Sequence, residues 1–354
     1  MEKQHITKNL SIKRNNNKTL LFFLSLSILV IVAFILDIAI GSANITMGSF
    51  IKTIFGQITD ESTKYIIFET RMPRAVTAIV VGGGLSLSGL LLQTLFHNPL
   101  AGPYVLGISS GAGLGVAIYT MTALTFFSIH PVISAAGQAV AAMLGAAMVF
   151  MLVLVFSWRL VDTVSLLIIG IMIGALASSV VGILQFFARP EVVHRFVIWT
   201  LGSLGSTAWI HLKFIIPVFF LSIVASVFLL KPLDAMLMGE IHARLTGVNV
   251  NGTRLMMIII SSVLVGTITA FTGPIGFVGM TVPHIVRLIS GKVSLKYVLP
   301  GVLLIGPSVM LLCDIISQLP GRAETLPING VTAFLGAPVV IFLIVRSRKL
   351  KTNI

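Results

Sequence analysis

Long stretches without a charged side chain alternate with short polar segments along this chain. The longest lies between Arg74 and Arg159 and holds 84 residues. A helix crossing the hydrocarbon core needs about 20 mostly apolar residues, so this stretch accommodates three crossings joined by tight turns. Further apolar runs fall at residues 19–36, 163–188, 214–230, 255–286, 297–313 and 325–345. The run from Leu255 is long enough for two crossings, broken at "TGPIG" (residues 272–276). The pattern predicts an all-α, polytopic membrane protein of about ten spanning helices.

Composition agrees. Only 10% of the residues are charged and 56% are hydrophobic, and the mean hydropathy is +1.05. The formal charge of +13 would suit a nucleic-acid partner, but its distribution gives another explanation. With the first residues in the cytoplasm and ten alternating spans, two thirds of the lysines and arginines fall on inner segments, against only four of the eleven acids. That bias is the positive-inside signal of a membrane protein, with both termini cytoplasmic. No nucleic-acid partner is expected. The polar head, residues 1–18, precedes a run that could pass for a signal peptide. Its length, the lack of a small-residue cleavage site and Asp37 just beyond it favour a retained first span.

No Gly/Ser linker or low-complexity tract divides the chain, so residues 1–354 read as one transmembrane domain. Residues 41–72 form a long outer loop. Residues 189–209 are too apolar for a free loop and read as a short helix lying at the interface. Residues 231–253 form the largest inner segment, where "LDAMLMGEIHARLTGVNV" predicts one or two short helices outside the lipid. A faint repetition links the glycine-rich stretches at 82–115 and 266–291.

Glycines crowd the most apolar part of the chain. Lipid supplies no hydrophobic drive between helices, so close backbone packing must hold them, and small residues permit it. Gly82, Ser86 and Gly89 recur near one helical face, and Gly107, Gly111 and Gly115 repeat every four residues. Between them "HNPLAGPYVLG" breaks the helix, because Pro99 and Pro103 disfavour helix at the residues before them. Irregular backbone at membrane depth is tolerated only against protein or a watery path.

These residues also carry a family resemblance. "RMPRAVTAIVVGGGLSLSGLLLQTLFHNPLAGPYVLGISSGAGLG" (residues 71–115) closely resembles the FecCD/BtuC-like permeases. So, in order, do "WTLGSL", "GEIHARLTGVNV", "TGPIGFVGMTVPHIVRLISG" and "LPINGVTAFLGAPVVIFLIVR". The resemblance implies a ten-helix permease subunit in the bacterial cytoplasmic (inner) membrane. It would pair with a second permease subunit, identical or paralogous. An ABC ATPase dimer inside and an extracytoplasmic substrate-binding protein outside complete such an importer.

It also implies roles for individual residues. Arg71 and Arg74 resemble docking points for carboxylates of the binding protein. Arginine suits that task through bidentate pairing, although an arginine snorkelling to the interface would look the same. A further docking arginine is displaced: Gln318 stands at its place, and Arg322 follows four residues later. Gly239, Glu240, Ala243, Arg244 and Gly247 resemble the segment that rests on the ATPase, with Thr246 a mild departure. Asp162 and Thr163 resemble a cytoplasmic gate, and both residue types also cap helices well.

The chain has no GxxxxGK[ST] loop, so ATP must be bound by a partner subunit and no cofactor is expected. The histidines lack metal-ligand spacing, and Cys313, the single cysteine, reads as a small packed residue. No catalytic constellation suggests a membrane enzyme. An ion-coupled secondary transporter needs ionisable groups deep in its spans, whereas Asp37 and Asp314 fall near span ends. The expected cargo is a ferric siderophore, with haem and cobalamin open.

Overall fold

The computed structural model describes residues 2–41, 45–57, 60–123, 131–159, 163–319 and 325–351, which are helical with no strand among them. Helix α1 (Glu2–Ala39) carries the first apolar stretch. A short helix α2 (Met47–Ile54) follows, then α3 (Glu61–Tyr65), a π-helical turn (Ile66–Arg71) and α4 (Met72–Leu95). Helix α5 (Ile108–Ile118) runs into a second π-helical turn (Tyr119–Ala123). Then come α6 (Pro131–Arg159), α7 (Thr163–Phe187), the short α8 (Pro190–Thr200) and α9 (Trp209–Phe228). Two short helices, α10 (Leu230–Leu237) and α11 (Glu240–Leu245), precede α12 (Val250–Thr272). Helices α13 (Val278–Ser290), α14 (Leu295–Ser317) and α15 (Ile328–Lys351) complete the chain.

Seven helices among the described residues are long and apolar enough to cross a membrane. The shorter apolar helix α13 and the apolar stretch Ile328–Phe342 of α15, with α5 and its π-helical extension, bring the architecture to the ten crossings expected. Both expected breaks are present. Residues 98–102 separate α4 from a 3-10 turn (Pro103–Leu106) that leads into α5. Residues 273–277 separate α12 from α13. A short helix stands in the expected interval 189–209 as α8, and residues 231–253 hold α10 and α11. The loop expected over residues 41–72 is different: α2 buries Phe50 and Thr53, and from Glu61 the chain is one continuous helix through α4. The polar start, "ESTKY", hides a helix that simply projects past the apolar layer.

Helix α4 is the axis of the fold. Every residue from Val80 to Leu95 is buried, beneath α14, α12, α13 and α9. Its glycines explain how. A methyl group on Gly82 would overlap the Gly306 carbonyl of α14, and one on Gly89 would overlap the Gly279 carbonyl of α13. The second stripe is shared between two partners: Gly111 and Gly115 meet α6 at Gly145 and Ala141, while Gly107 meets Gly170 and Gly174 of α7. Gly107 also has φ +70, which a side chain disfavours. Polar side chains join the same helices. Thr77 and Thr207 hydroxyls lie 2.6 Å apart. Gln93 donates to the Met280 carbonyl at 2.9 Å and accepts from Arg287 at 2.8 Å.

Candidate functional site

The bundle has two ends rich in polar chemistry. At one, α1 and α14 finish and α4 begins. An α-helix leaves its last carbonyls without intrahelical partners, and Arg71 supplies them: its Nη1 donates to the carbonyls of Ile38 and Ala39 at 2.9 and 2.8 Å. The cation also sits at the negative end of the α1 dipole. The π-helical turn before Met72 inserts an extra residue into the turn, and three residues on Arg74 faces α14 instead. Its Nε and Nη2 form a bidentate pair with Asp314, at 2.8 Å each to Oδ2 and Oδ1. Asp314 is wholly buried and the Arg74 side chain is 16% exposed.

Gln318 completes the cluster. Its amide donates to Asp37 Oδ1 and to Asp314 Oδ2, both at 3.0 Å. The residue at the place of the displaced arginine therefore bridges two buried carboxylates, one from α1 and one from α14. Arg71 is itself 5% exposed, so the two arginines of "RMPR" differ. Arg71 closes α1 from within. Arg74 lines a cavity of ≈ 280 Å³ with Ser203, Ser317, Thr325, Leu326 and Pro327, and its Nη1 has no hydrogen-bond partner among the described residues. Arg322 lies outside the described residues. Reciprocal contacts between Ser317 and Leu326 pin the chain on either side of it, the Leu326 amide reaching the Ser317 carbonyl at 2.7 Å.

Sequence reasoning placed Asp37 and Asp314 near span ends without pairing them to arginines. The signal was present: two acids at matching depth opposite two arginines, with Asp314 and Gln318 one helical turn apart.

At the other end, α10 and α11 lie beneath the bundle. Leu233, Met236 and Ala243 face inward and are buried. Asp234 accepts from the Leu295 amide at 2.7 Å and the Ser294 hydroxyl at 2.9 Å, capping α14. His97 contacts the Met236 carbonyl at 3.0 Å. Glu240, with its side chain 29% exposed, is tied within the chain. Its Oε1 accepts from Arg254 Nη2 at 2.7 Å, tying the first residue of α11 to the base of α12. Arg244 reaches Asn251 at 3.4 Å. Gly239 (φ +109) and Gly247 (φ +82) bracket α11 with backbone angles that glycine alone adopts freely.

The outward face of this segment is apolar. Met238, Ile241 and Leu245 are each at least three-quarters exposed. Beside them runs a groove of ≈ 970 Å³ lined by Lys231, Asp234, Met238, His242, Thr246 and Val248, among others. An exposed apolar patch rimmed by polar groups marks a protein–protein or membrane interaction surface. Of the expected gate, Thr163 opens α7 and is half-buried, while Asp162 lies outside the described residues.

A third feature lies between α5, α7 and α8. A cavity of ≈ 270 Å³ is lined by Ser109, Ser110, Ser178, Thr200, Phe196 and Trp199, among others, and by no charged side chain.

The model of the FecCD transport family matches residues 29–346. The chain belongs to the FecCD transport family. As a FecCD protein it is the membrane permease of an ABC importer, a class that works with a separate ATPase and a substrate-binding protein. It is 32% identical over 322 residues to the hemin transport system permease HmuU of Yersinia pestis, covering 89% of this chain and 94% of that one. It is 31% identical over 346 residues to the vitamin B12 import permease BtuC of Shigella boydii, covering 95% and 98%. A solved chain described as the inward-facing conformation of a metal-chelate type ABC transporter superposes on this FecCD permease with a TM-score of 0.80. That match has 28% identity and covers 92% of this chain and 99% of the other.

Proposed function

We propose that this permease imports a bulky metal chelate, a ferric siderophore, driven by ATP hydrolysed on a partner subunit. The observation that supports it most is the cavity whose described lining carries no charge and combines the hydroxyls of Ser109, Ser110, Ser178 and Thr200 with the rings of Phe196 and Trp199. Such a lining offers a large polar cargo many weak contacts and no ionic trap, so the cargo can leave as readily as it enters. Haem is the second reading, favoured by the likeness to a hemin permease; cobalamin belongs to the same class.

The bundle is oriented with both termini and α10–α11 in the cytoplasm, as the distribution of basic residues suggests. The apolar face of Met238, Ile241 and Leu245 then meets the ATPase dimer, with Gly239, Glu240, Ala243, Arg244 and Gly247 shaping that contact. Arg74 docks a carboxylate of the binding protein through Nη1, assisted by Arg322. Arg71 contributes by holding the end of α1 in place. Thr163, with Asp162, narrows the inner exit. A second permease subunit, a copy or a paralogue, completes the path.

The test is uptake in cells that lack this permease and regain it on a plasmid. Ferric siderophore, haem and cobalamin are supplied singly. Accumulation of the ferric siderophore that survives a protonophore with ATP maintained, and stops when ATP is depleted, is expected. Uptake of haem or cobalamin alone would move the cargo to those readings. Uptake that follows the proton gradient would overturn the importer assignment.

A further inference from the structure

The middle of α1 meets the end of α13 and the start of α14 at one level of the bundle, and the site they form has no part in the transport reading. Thr19 follows Lys18 and opens the charge-free run within α1, Ser290 ends α13, and Leu295 opens α14. Thr19 and Ser290, with Phe22, Phe23, Ile289, Lys292 and Tyr297, border a cavity of ≈ 290 Å³. Lys292 is held in an unusual way. Its Nζ donates to Thr19 Oγ1 at 2.8 Å and sits 3.6 Å above the centroid of the Tyr297 ring. Its backbone amide donates to Ser290 Oγ at 3.2 Å. No carboxylate forms an ion pair with it among the described residues.

We propose that this cavity binds the headgroup phosphate of an anionic phospholipid. An ammonium has three N–H donors. One is used on Thr19, and the ring face orients the rest, so the charge is presented to the cavity already positioned. Depth selects a lipid. The cavity begins where the apolar span begins, which is headgroup level. Phe22, Phe23 and Ile289 lie on its apolar side, and Ile289 is 59% exposed, so they offer a surface for acyl chain. A free phosphate would use the lysine but not this apolar wall. Lys18 precedes Thr19 and Lys296 precedes Tyr297 in the sequence, and this clustering of basic residues suits an anionic leaflet. The choice of leaflet rests on the orientation proposed above; the binding does not.

The full-length chain, with the subunits that co-purify with it, is exchanged into nanodiscs of phosphatidylcholine and phosphatidylglycerol in equal amounts. Retained lipid is then read by native mass spectrometry. Phosphatidylglycerol is expected to be retained over phosphatidylcholine. Lys292→Gln should lower its retention about fivefold, the factor that one lysine contributes near an anionic surface, and leave phosphatidylcholine unchanged. Thr19→Val, which keeps the charge and loses only its anchor, should lower retention by less. It also provides the reading if Lys292→Gln fails to insert. Excess inorganic phosphate should not displace the lipid. Equal retention of the two lipids, or retention of phosphatidylglycerol undiminished in the inserted variants, would overturn the proposal. Displacement by phosphate would overturn the lipid assignment in favour of a free-anion site. Cargo uptake is not part of the readout, so failure of the transport reading would leave this result intact.

Discussion

Consider Glu240→Gln in the fully assembled importer. The lost partner is Arg254, whose side chain is 6% exposed, while that of Glu240 is 29% exposed. At an effective dielectric constant of about 20 such charges attract by about 4 kcal/mol. Partial exposure and desolvation reduce the net value, and removing one member of a buried pair costs about 3–5 kcal/mol when the other is stranded in a dry interior. Between that buried limit and the ~1 kcal/mol or less of an exposed pair, roughly 2 kcal/mol holds α11 to the base of α12, a factor of about thirty in the population of the attached arrangement. Cargo moved per ATP should therefore fall by at least an order of magnitude, while ATP hydrolysis and assembly persist. The pair is asymmetric, which sharpens the test. Glu240→Gln strips a buried guanidinium of its carboxylate, whereas Arg254→Gln leaves a carboxylate that can turn to water, so the first should be the more damaging. Glu240→Arg should uncouple transport for the same reason, and Glu240→Arg with Arg254→Glu should recover part of it. The assay is reconstituted complex in liposomes, with ATP hydrolysis and cargo uptake measured on the same sample. Normal coupling in Glu240→Gln, or two single variants of equal effect with no recovery in the swap, would refute this role for the ion pair.

Other consequences can be checked separately. Gly89→Val should abolish the inserted, monodisperse protein in detergent, because its side chain would overlap the Gly279 backbone and overpacking costs about 1–3 kcal/mol or more; Gly113→Ala, with open space around it, should behave as wild type. Arg74→Ala should weaken capture of the binding protein about tenfold, near 1.4 kcal/mol, and also lower thermal stability, because Asp314 is left buried without its guanidinium; Arg71→Ala, which exposes the α1 carbonyls, should lower stability with little loss of capture, and equal loss of capture in the two would contradict the division of labour. Ala243→Leu should push α11 from its seat and reduce ATPase co-purification, since Ala243 is wholly buried; undiminished co-purification would show that the seat tolerates the volume.

Much of this architecture was legible because lipid imposes simple rules. Charge-free length located the spans, and Pro99, Pro103 and "TGPIG" marked the non-helical passages, since neither signal depends on distant residues. The glycine stripes announced close packing but not which helices would meet: one four-residue repeat serves α6 at Gly111 and Gly115 and α7 at Gly107. The sites were harder to read. Arg74 and Asp314 are 240 positions apart, and Arg254 and Glu240 pair across a turn made at Gly247, whose φ is positive. The π-helical turn before Met72 leaves no compositional trace, yet it decides that Arg71 faces α1 and Arg74 faces α14. The helical start at Glu61 was hidden because polar residues beyond the apolar layer carry no hydropathy signal.

The bare carbonyl-to-glycine contacts along α4 have a mechanical consequence. Where backbone meets backbone there is no side chain to change rotamer and absorb a displacement. Sliding α4 against α14 at Gly82 and Gly306, or against α13 at Gly89 and Gly279, would drive atoms through one another. These three helices must travel as one stiff spindle. The compliance needed to open the path then falls to the two unwound passages, residues 98–102 and 273–277, where few helical hydrogen bonds hold the backbone.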